Sequence, residues 1–286
     1  MNPEVECAVD GRDLLGESPV WDERTGTFWW VDIRACKLRS LRDSVVREVT
    51  LPEAIGSFGL RERGGMVAAM KSGFHFLDPD TGALREICRP EADRPQNRLN
   101  DGRCDRAGRF WAGSMKASQP RGAEGALYRL EPSGRCSTVR AGITIPNGLA
   151  WSPDGRTMYF ADTPTRHILA FDYDPASGTP SRERLFAATE GNPDGSCVDA
   201  DGCLWNAEYG GSRLVRYTPA GKVDRTIALP AANPTCCCFG GAGMETLFIT
   251  TASQGLQDLE VEKQKAGSVL AVRPGVKGLP ECRFAG

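Results

Sequence analysis

Trp151-Ser-Pro-Asp-Gly-Arg-Thr-Met-Tyr-Phe-Ala-Asp162 sets a large hydrophobic residue before a turn rich in Asp and Gly, and the turn leads into a short apolar strand. The pattern returns in Val198-Asp-Ala-Asp-Gly-Cys-Leu-Trp-Asn-Ala-Glu208, Cys104-Asp-Arg-Ala-Gly-Arg-Phe-Trp-Ala-Gly113 and Trp21-Asp-Glu-Arg-Thr-Gly-Thr-Phe-Trp-Trp-Val-Asp32. Looser copies begin at Leu60 and Phe239. The six starts, 21, 60, 104, 151, 198 and 239, are separated by 39, 44, 47, 47 and 41 residues. A period of that size suits four-stranded propeller blades. Most copies are followed by an alternating segment such as Arg213-Leu-Val-Arg-Tyr-Thr-Pro, a Pro-Ala-Gly or Pro-Ser-Gly turn, and a last strand such as Lys222 to Leu229. The expected fold is all-β: one six-bladed β-propeller over residues 1–286, with four antiparallel strands per blade. A polar segment from Gln254 to Ala266 is the one candidate helix.

Composition narrows the partners. Lys+Arg 35 against Asp+Glu 37 gives a formal net charge of -2, and no run of like charge occurs. That leaves no electrostatic footprint for nucleic acid or an anionic membrane. The first ten residues carry Glu4, Glu6 and Asp10 and no apolar run, so neither a signal peptide nor a membrane span is expected there. The expectation is a cytoplasmic monomer or weak oligomer that acts on a small molecule. The eleven cysteines are odd in number and show no CxxC spacing, and Cys236-Cys237-Cys238 reads as small hydrophobes in a buried strand.

If the blades are equivalent, the residue four positions before each repeat start lies at one height around the axis. Those residues are Glu17, Gly56, Asn100, Asn147, Asp194 and Thr235, placed just before each innermost strand. Five offer side-chain oxygen, a donor set that suits a hard divalent cation. Asn and Asp also form turns beside Gly, which covers any one of them alone but not Glu17, Asn147 and Asp194 together. Arg98-Leu-Asn-Asp101 adds either a polar wall for sugar hydroxyls or a surface ion pair between Arg98 and Asp101.

Leu15-Gly-Glu-Ser-Pro-Val-Trp, Arg98-Leu-Asn-Asp-Gly, Gly113-Ser-Met, Gly125-Ala-Leu-Tyr-Arg, Ile145-Pro-Asn-Gly-Leu-Ala-Trp and Pro193-Asp-Gly-Ser-Cys-Val-Asp, in that order, resemble the senescence-marker-protein, gluconolactonase and luciferin-regenerating-enzyme family. The resemblance spans residues 7–275. It implies a six-bladed propeller that hydrolyses sugar lactones with one divalent metal ion held by Glu17, Asn147 and Asp194, while Arg98 and Asn100 contact substrate and Asp101 lies nearby. A family acid in the loop before Gly125 has no clear partner in Gln119-Pro-Arg-Gly-Ala-Glu124. Either Glu124 replaces it or Arg121 recognises an anionic group.

Lactone hydrolysis needs an activated water, a stabiliser for the developing oxyanion and a base. Asp194 is the expected base. The metal stays open among calcium, magnesium, manganese, zinc and iron, and the substrate among gluco-, galacto-, arabino- and xylonolactones or an anionic relative. Two rival readings are a phosphotriesterase or aryl esterase, which would show an apolar cleft, and a calcium-binding scaffold without turnover.

Overall fold

Why the six repeats close into a ring follows from how each blade is laid down. The computed structural model describes residues 3–286. Six four-stranded antiparallel sheets form a β-propeller, and in five of them the strands follow chain order from the axis outward. The innermost strands are Gly16–Asp22, Ile55–Leu60, Asn97–Cys104, Pro146–Trp151, Asn192–Val198 and Pro234–Gly240. The helix expected within Gln254 to Ala266 is Asp258–Gln264, and among the described residues no helix is long and apolar enough to cross a membrane.

The sixth blade is built differently. Its outer edge is the strand Val5–Val9, which pairs antiparallel with Val269–Val272, so residues from both ends of the chain share one sheet. The repeat pattern did not reveal this clasp.

The Asp-rich turns have a chemical reason. Asp199 accepts the backbone N–H groups of Asp201 and Cys203 (both 3.0 Å) and the indole N–H of Trp205 (2.8 Å). Asp105 accepts those of Ala107, Arg109 and Trp111 at 2.9, 3.0 and 3.1 Å. Each carboxylate satisfies the donors of the turn and of a second-strand Trp that would otherwise be stranded in the core. Trp30, Trp111 and Trp205 are fully buried, and the core lies between blades, where apolar faces of neighbouring sheets meet.

The turns joining first to second strands form one end of the channel, and residues 277–285 run across it. Ala200 donates to Lys277 O (2.8 Å), Gly278 to Met244 O (2.8 Å), Phe284 to Leu60 O (2.8 Å) and Ala285 to Gly108 O (3.0 Å). Arg103, from the third innermost strand, meets Glu281 of this segment at 2.6 Å. This end is therefore a floor, and the opposite end, where the innermost strands begin, is the mouth.

Candidate active site at the channel mouth

In all six blades the pairing of the first and second strands slips by one residue near the start of the inner strand: between Glu17 and Val20, Ile55 and Ser57, Leu99 and Gly102, Asn147 and Ala150, Pro193 and Ser196, and Pro234 and Cys236. The ring residues sit at these bulges. They lie inside the innermost strands, not before them as the sequence suggested. A bulge breaks the alternation of the strand and re-aims a side chain, which turns these residues toward the axis. The geometry demands a left-handed residue after Asn147, supplied by Gly148 (φ 69°); in the first blade Ser18 adopts the same region (φ 50°).

The six positions do not serve alike. At Gly56 a Cβ would lie 2.4 Å from Leu99 O, so this blade approaches its neighbour too closely to offer a side chain. Thr235 Oγ1 donates to Gly16 O (2.5 Å) and bonds Thr250 (2.8 Å), which ties it into the wall. Glu17, Asn100, Asn147 and Asp194 remain, all buried.

A hydrogen-bonded arc links them. Arg98 donates to Asn100 Oδ1 (2.7 Å), Asn100 Nδ2 to Asn147 Oδ1 (3.1 Å) and Pro146 O (2.9 Å), Asn147 Nδ2 to Thr163 Oγ1 (2.8 Å), and Thr163 to Pro193 O (2.7 Å), next to Asp194. Asn97, beside Arg98, is held by Glu91 at 3.1 Å, and Glu91 also accepts from Ser114 and Tyr128.

The acids are under electrostatic load. Burial, then the charge of Asp101, pushes the Glu17 carboxyl up to about 8; burial, then Glu17 and Asp101, pushes Asp194 well above the carboxylate range. Asp101 is raised by burial as well, although its Oδ2 accepts the N–H of Leu149 at 3.0 Å. Buried carboxylates facing one another without a cation favour the protonated form. Among the described residues no three His, Cys, Asp or Glu side chains gather at metal-binding spacing, so a cation here would rest on two carboxylates completed by amide oxygen. Glu17, Asp194 and Asn147 present that donor set, which fits an oxygen-preferring divalent ion.

The other expectations divide. Arg98 and Asp101 form no ion pair with each other; Arg98 lines the mouth, and Asp101 braces the neighbouring blade. Glu124 is exposed and pairs with Lys116 at 3.2 Å, so it does not join the mouth. Arg121 does: its charge acts on both Arg98 and Tyr209. Sequence reasoning missed Thr163, Arg34 and Tyr209, whose hydroxyl accepts from Gln254 (3.2 Å). The signal that could find them is position, since each lies at or just past the end of a second strand, where the chain turns at the mouth. Cys236, Cys237 and Cys238 are buried in the sixth innermost strand, with Cys237 Sγ 3.5 Å from Cys197 Sγ, and neither His75 nor His167 takes part. A surface concavity of about 690 Å³ lies beside Trp29, Arg47 and Pro79, away from these groups.

Residues 15–253 match the family model described as the SMP-30/Gluconolactonase/LRE-like region. The chain is 38% identical to the 6-deoxy-6-sulfogluconolactonase of Pseudomonas putida, covering 100% of both chains, and 37% identical to regucalcin of Xenopus laevis, covering 99% of this chain and 98% of that one. It is also similar to the structure of a calcium-binding protein, regucalcin, from Agrobacterium tumefaciens, with a TM-score of 0.94, 30% identity, and 99% and 98% of the two chains covered. Repeat count, ring and relatives agree: the chain belongs to the SMP-30/gluconolactonase/LRE-like family, which includes sugar lactone hydrolases.

Proposed function

We propose that the protein hydrolyses an aldonolactone to the aldonic acid, using a divalent ion held by Glu17, Asn147 and Asp194. The observation that carries this reading is the set of two buried carboxylates and an amide oxygen brought to one channel mouth by equivalent bulges, with neither acid in an ion pair among the described residues. Relatives named as lactonases support the reaction class, and those named regucalcin, one described as calcium-binding, support the ion.

A bound divalent ion supplies Lewis acidity toward the lactone carbonyl and charge to stabilise the oxyanion that develops there. Asp194 accepts the proton of the water whose oxygen bonds to the carbonyl carbon, then returns it to the ring oxygen as that C–O bond breaks. Arg98 orients the sugar with the guanidinium N–H groups it has left, and Asn100, whose Nδ2 is committed to Asn147 and Pro146, holds Arg98 through Oδ1. Thr163 fixes the Asn147 amide so that its oxygen stays turned inward. The polar mouth argues against the phosphotriester and aryl-ester readings, which call for an apolar cleft. Eleven free thiols suit the reducing cytoplasm.

The test is a pH-indicator assay of gluco-, galacto-, arabino- and xylonolactones on chelated protein resupplied with calcium, magnesium, manganese, zinc or ferrous iron one at a time. Chelation, Asp194→Ala and Glu17→Gln should each lower turnover by about 100-fold or more. Rates near wild type in the chelated protein or in both variants overturn the reading.

A further inference from the structure

Three guanidinium groups reach the mouth from two different blades. Arg34 follows the second strand of the first blade, Thr27–Asp32, whose Asp32 accepts the Arg34 backbone N–H at 3.1 Å. Arg98 lies in the third innermost strand, and Arg121 in the loop that follows the strand Phe110–Lys116 of the same blade. Both loops open on the end of the ring that holds Glu17 and Asp194. None of the three arginines enters an ion pair among the described residues. Arginines elsewhere do: Arg216 meets Asp199, Asp201 and Asp224 at 2.8, 2.8 and 2.9 Å, and Arg109 meets Asp105 and Glu131 at 3.3 and 3.1 Å.

The groups sense one another. Burial, then the charges of Arg121 and Arg34, brings the Arg98 guanidinium down to about 10 from its ordinary 12.5, and Arg121 is lowered by burial and then by Arg34. Like charges crowded in this way repel, and an anion between them removes the repulsion. Arg121 Nε is buried without a hydrogen-bond partner, and the one acid in its loop, Glu124, pairs with Lys116 instead. The carboxylates of the ring do not balance the trio once a divalent ion neutralises Glu17 and Asp194. Glu17 and Asp194 are the acids that act on Arg98, no carboxylate acts on Arg121, and Asp101 answers to Arg103 on the floor side instead.

We propose that Arg34, Arg98 and Arg121 form an anion-binding subsite, so that the preferred lactone carries a sulfonate, carboxylate or phosphate on the carbon farthest from its carbonyl. The proposal rests on the lactonase reading and deepens it. Guanidinium groups suit these oxyanions because their planar fork presents paired N–H donors. Tyr209, close enough to Arg121 for its hydroxyl to feel that charge, adds a neutral donor beside the trio.

The experiment compares kcat/KM for glucono-1,5-lactone with that for its 6-deoxy-6-sulfo, 6-phospho and 6-carboxylate analogues in wild type, Arg34→Ala and Arg121→Ala. Wild type should favour at least one charged analogue by about 10- to 100-fold, the range of a charge-assisted contact. The analogue that leads identifies the anion. Each variant should lower that selectivity ratio by about 10-fold, chiefly through KM, and added NaCl should erode it. A readout without turnover is the rise in Tm given by the 6-sulfo or 6-phospho sugar acid beyond that given by gluconate, which both variants should abolish. Equal kcat/KM for neutral and charged lactones, or equal Tm shifts, overturns the anion subsite while leaving lactone hydrolysis intact. Absence of hydrolysis of every lactone with every metal overturns the lactonase reading, and the Tm comparison still decides the subsite.

Discussion

At the floor of the channel Arg103 meets Glu281 at 2.6 Å, beneath a void of only about 10 Å³ bounded by Ser18, Asp101 and Cys236. At the mouth, one strand length away, Glu17, Asp101 and Asp194 face one another and Arg34, Arg98 and Arg121 crowd together; Arg98 feels the charges of Glu17 and Asp194, but among the described residues none of the six closes an ion pair. Both ends carry buried charge, but only the floor pairs it. Paired charge contributes to the fold, whereas unpaired charge costs stability and persists where a ligand supplies the missing partner. The contrast separates the part of the channel that holds the ring together from the part available for chemistry.

Breaking the floor pair should give the largest effect on stability. Glu281→Ala leaves Arg103, whose side chain is 14% exposed, without its ion-pair partner, a loss of up to roughly 3–5 kcal/mol and a fall in Tm on the order of 10 °C. Lactone turnover at 25 °C should stay near wild type; a large loss of kcat with Tm unchanged would erase the distinction between the two ends. Asp13, at the rim of the first blade, combines both regimes in one side chain. It meets Arg39 at 2.7 Å and accepts the Trp30 indole N–H at 2.8 Å, yet burial still raises its carboxyl to about 6. Because the folded protein holds that proton more tightly than the unfolded chain, the stabilisation is complete below pH 4 and is lost as pH rises through 6. Denaturant titrations should therefore show wild type losing up to roughly 2–3 kcal/mol relative to Asp13→Asn between pH 4 and pH 7. A pH-independent difference would show that Arg39 neutralises the site fully. Thr163→Val, the mildest change, removes the hydroxyl that holds Asn147 Nδ2. Metal affinity measured by calorimetry should fall by about 10-fold with Tm of the metal-free protein nearly unchanged. Unaltered affinity would detach Asn147 from the metal site.

The repeats were legible because most blades write a similar Asp- or Gly-rich turn, and in the third and fifth a carboxylate, Asp105 or Asp199, satisfies both the turn and an indole. The ring was legible because equal offset means equal height. Its position within the strand was not, since a one-residue slip in pairing leaves no mark in a single sequence. Arg34 and Thr163 escaped because they lie in loops after the second strands, and Tyr209 because it shares its repeat offset with Asp32 and Asp162 but not their chemistry. Arg121 and Glu124 are alternatives in one loop, and the ion pair that holds Glu124 to Lys116 is invisible in the sequence. The strand Val5–Val9 escaped for another reason: with Glu4 and Glu6 and an exposed face it reads as polar, and its partner lies more than 260 residues away.

That long-range pairing has a consequence for how the molecule comes to exist. During synthesis the residues made first can meet their partners only after Val269–Val272 emerges, so five complete blades must wait as an open arc with a bare hydrogen-bonding edge. Loop closure over nearly the whole polypeptide makes this the step of highest contact order. The emergence of Val269–Val272 thus determines whether a nascent arc becomes a ring or a template for aggregation.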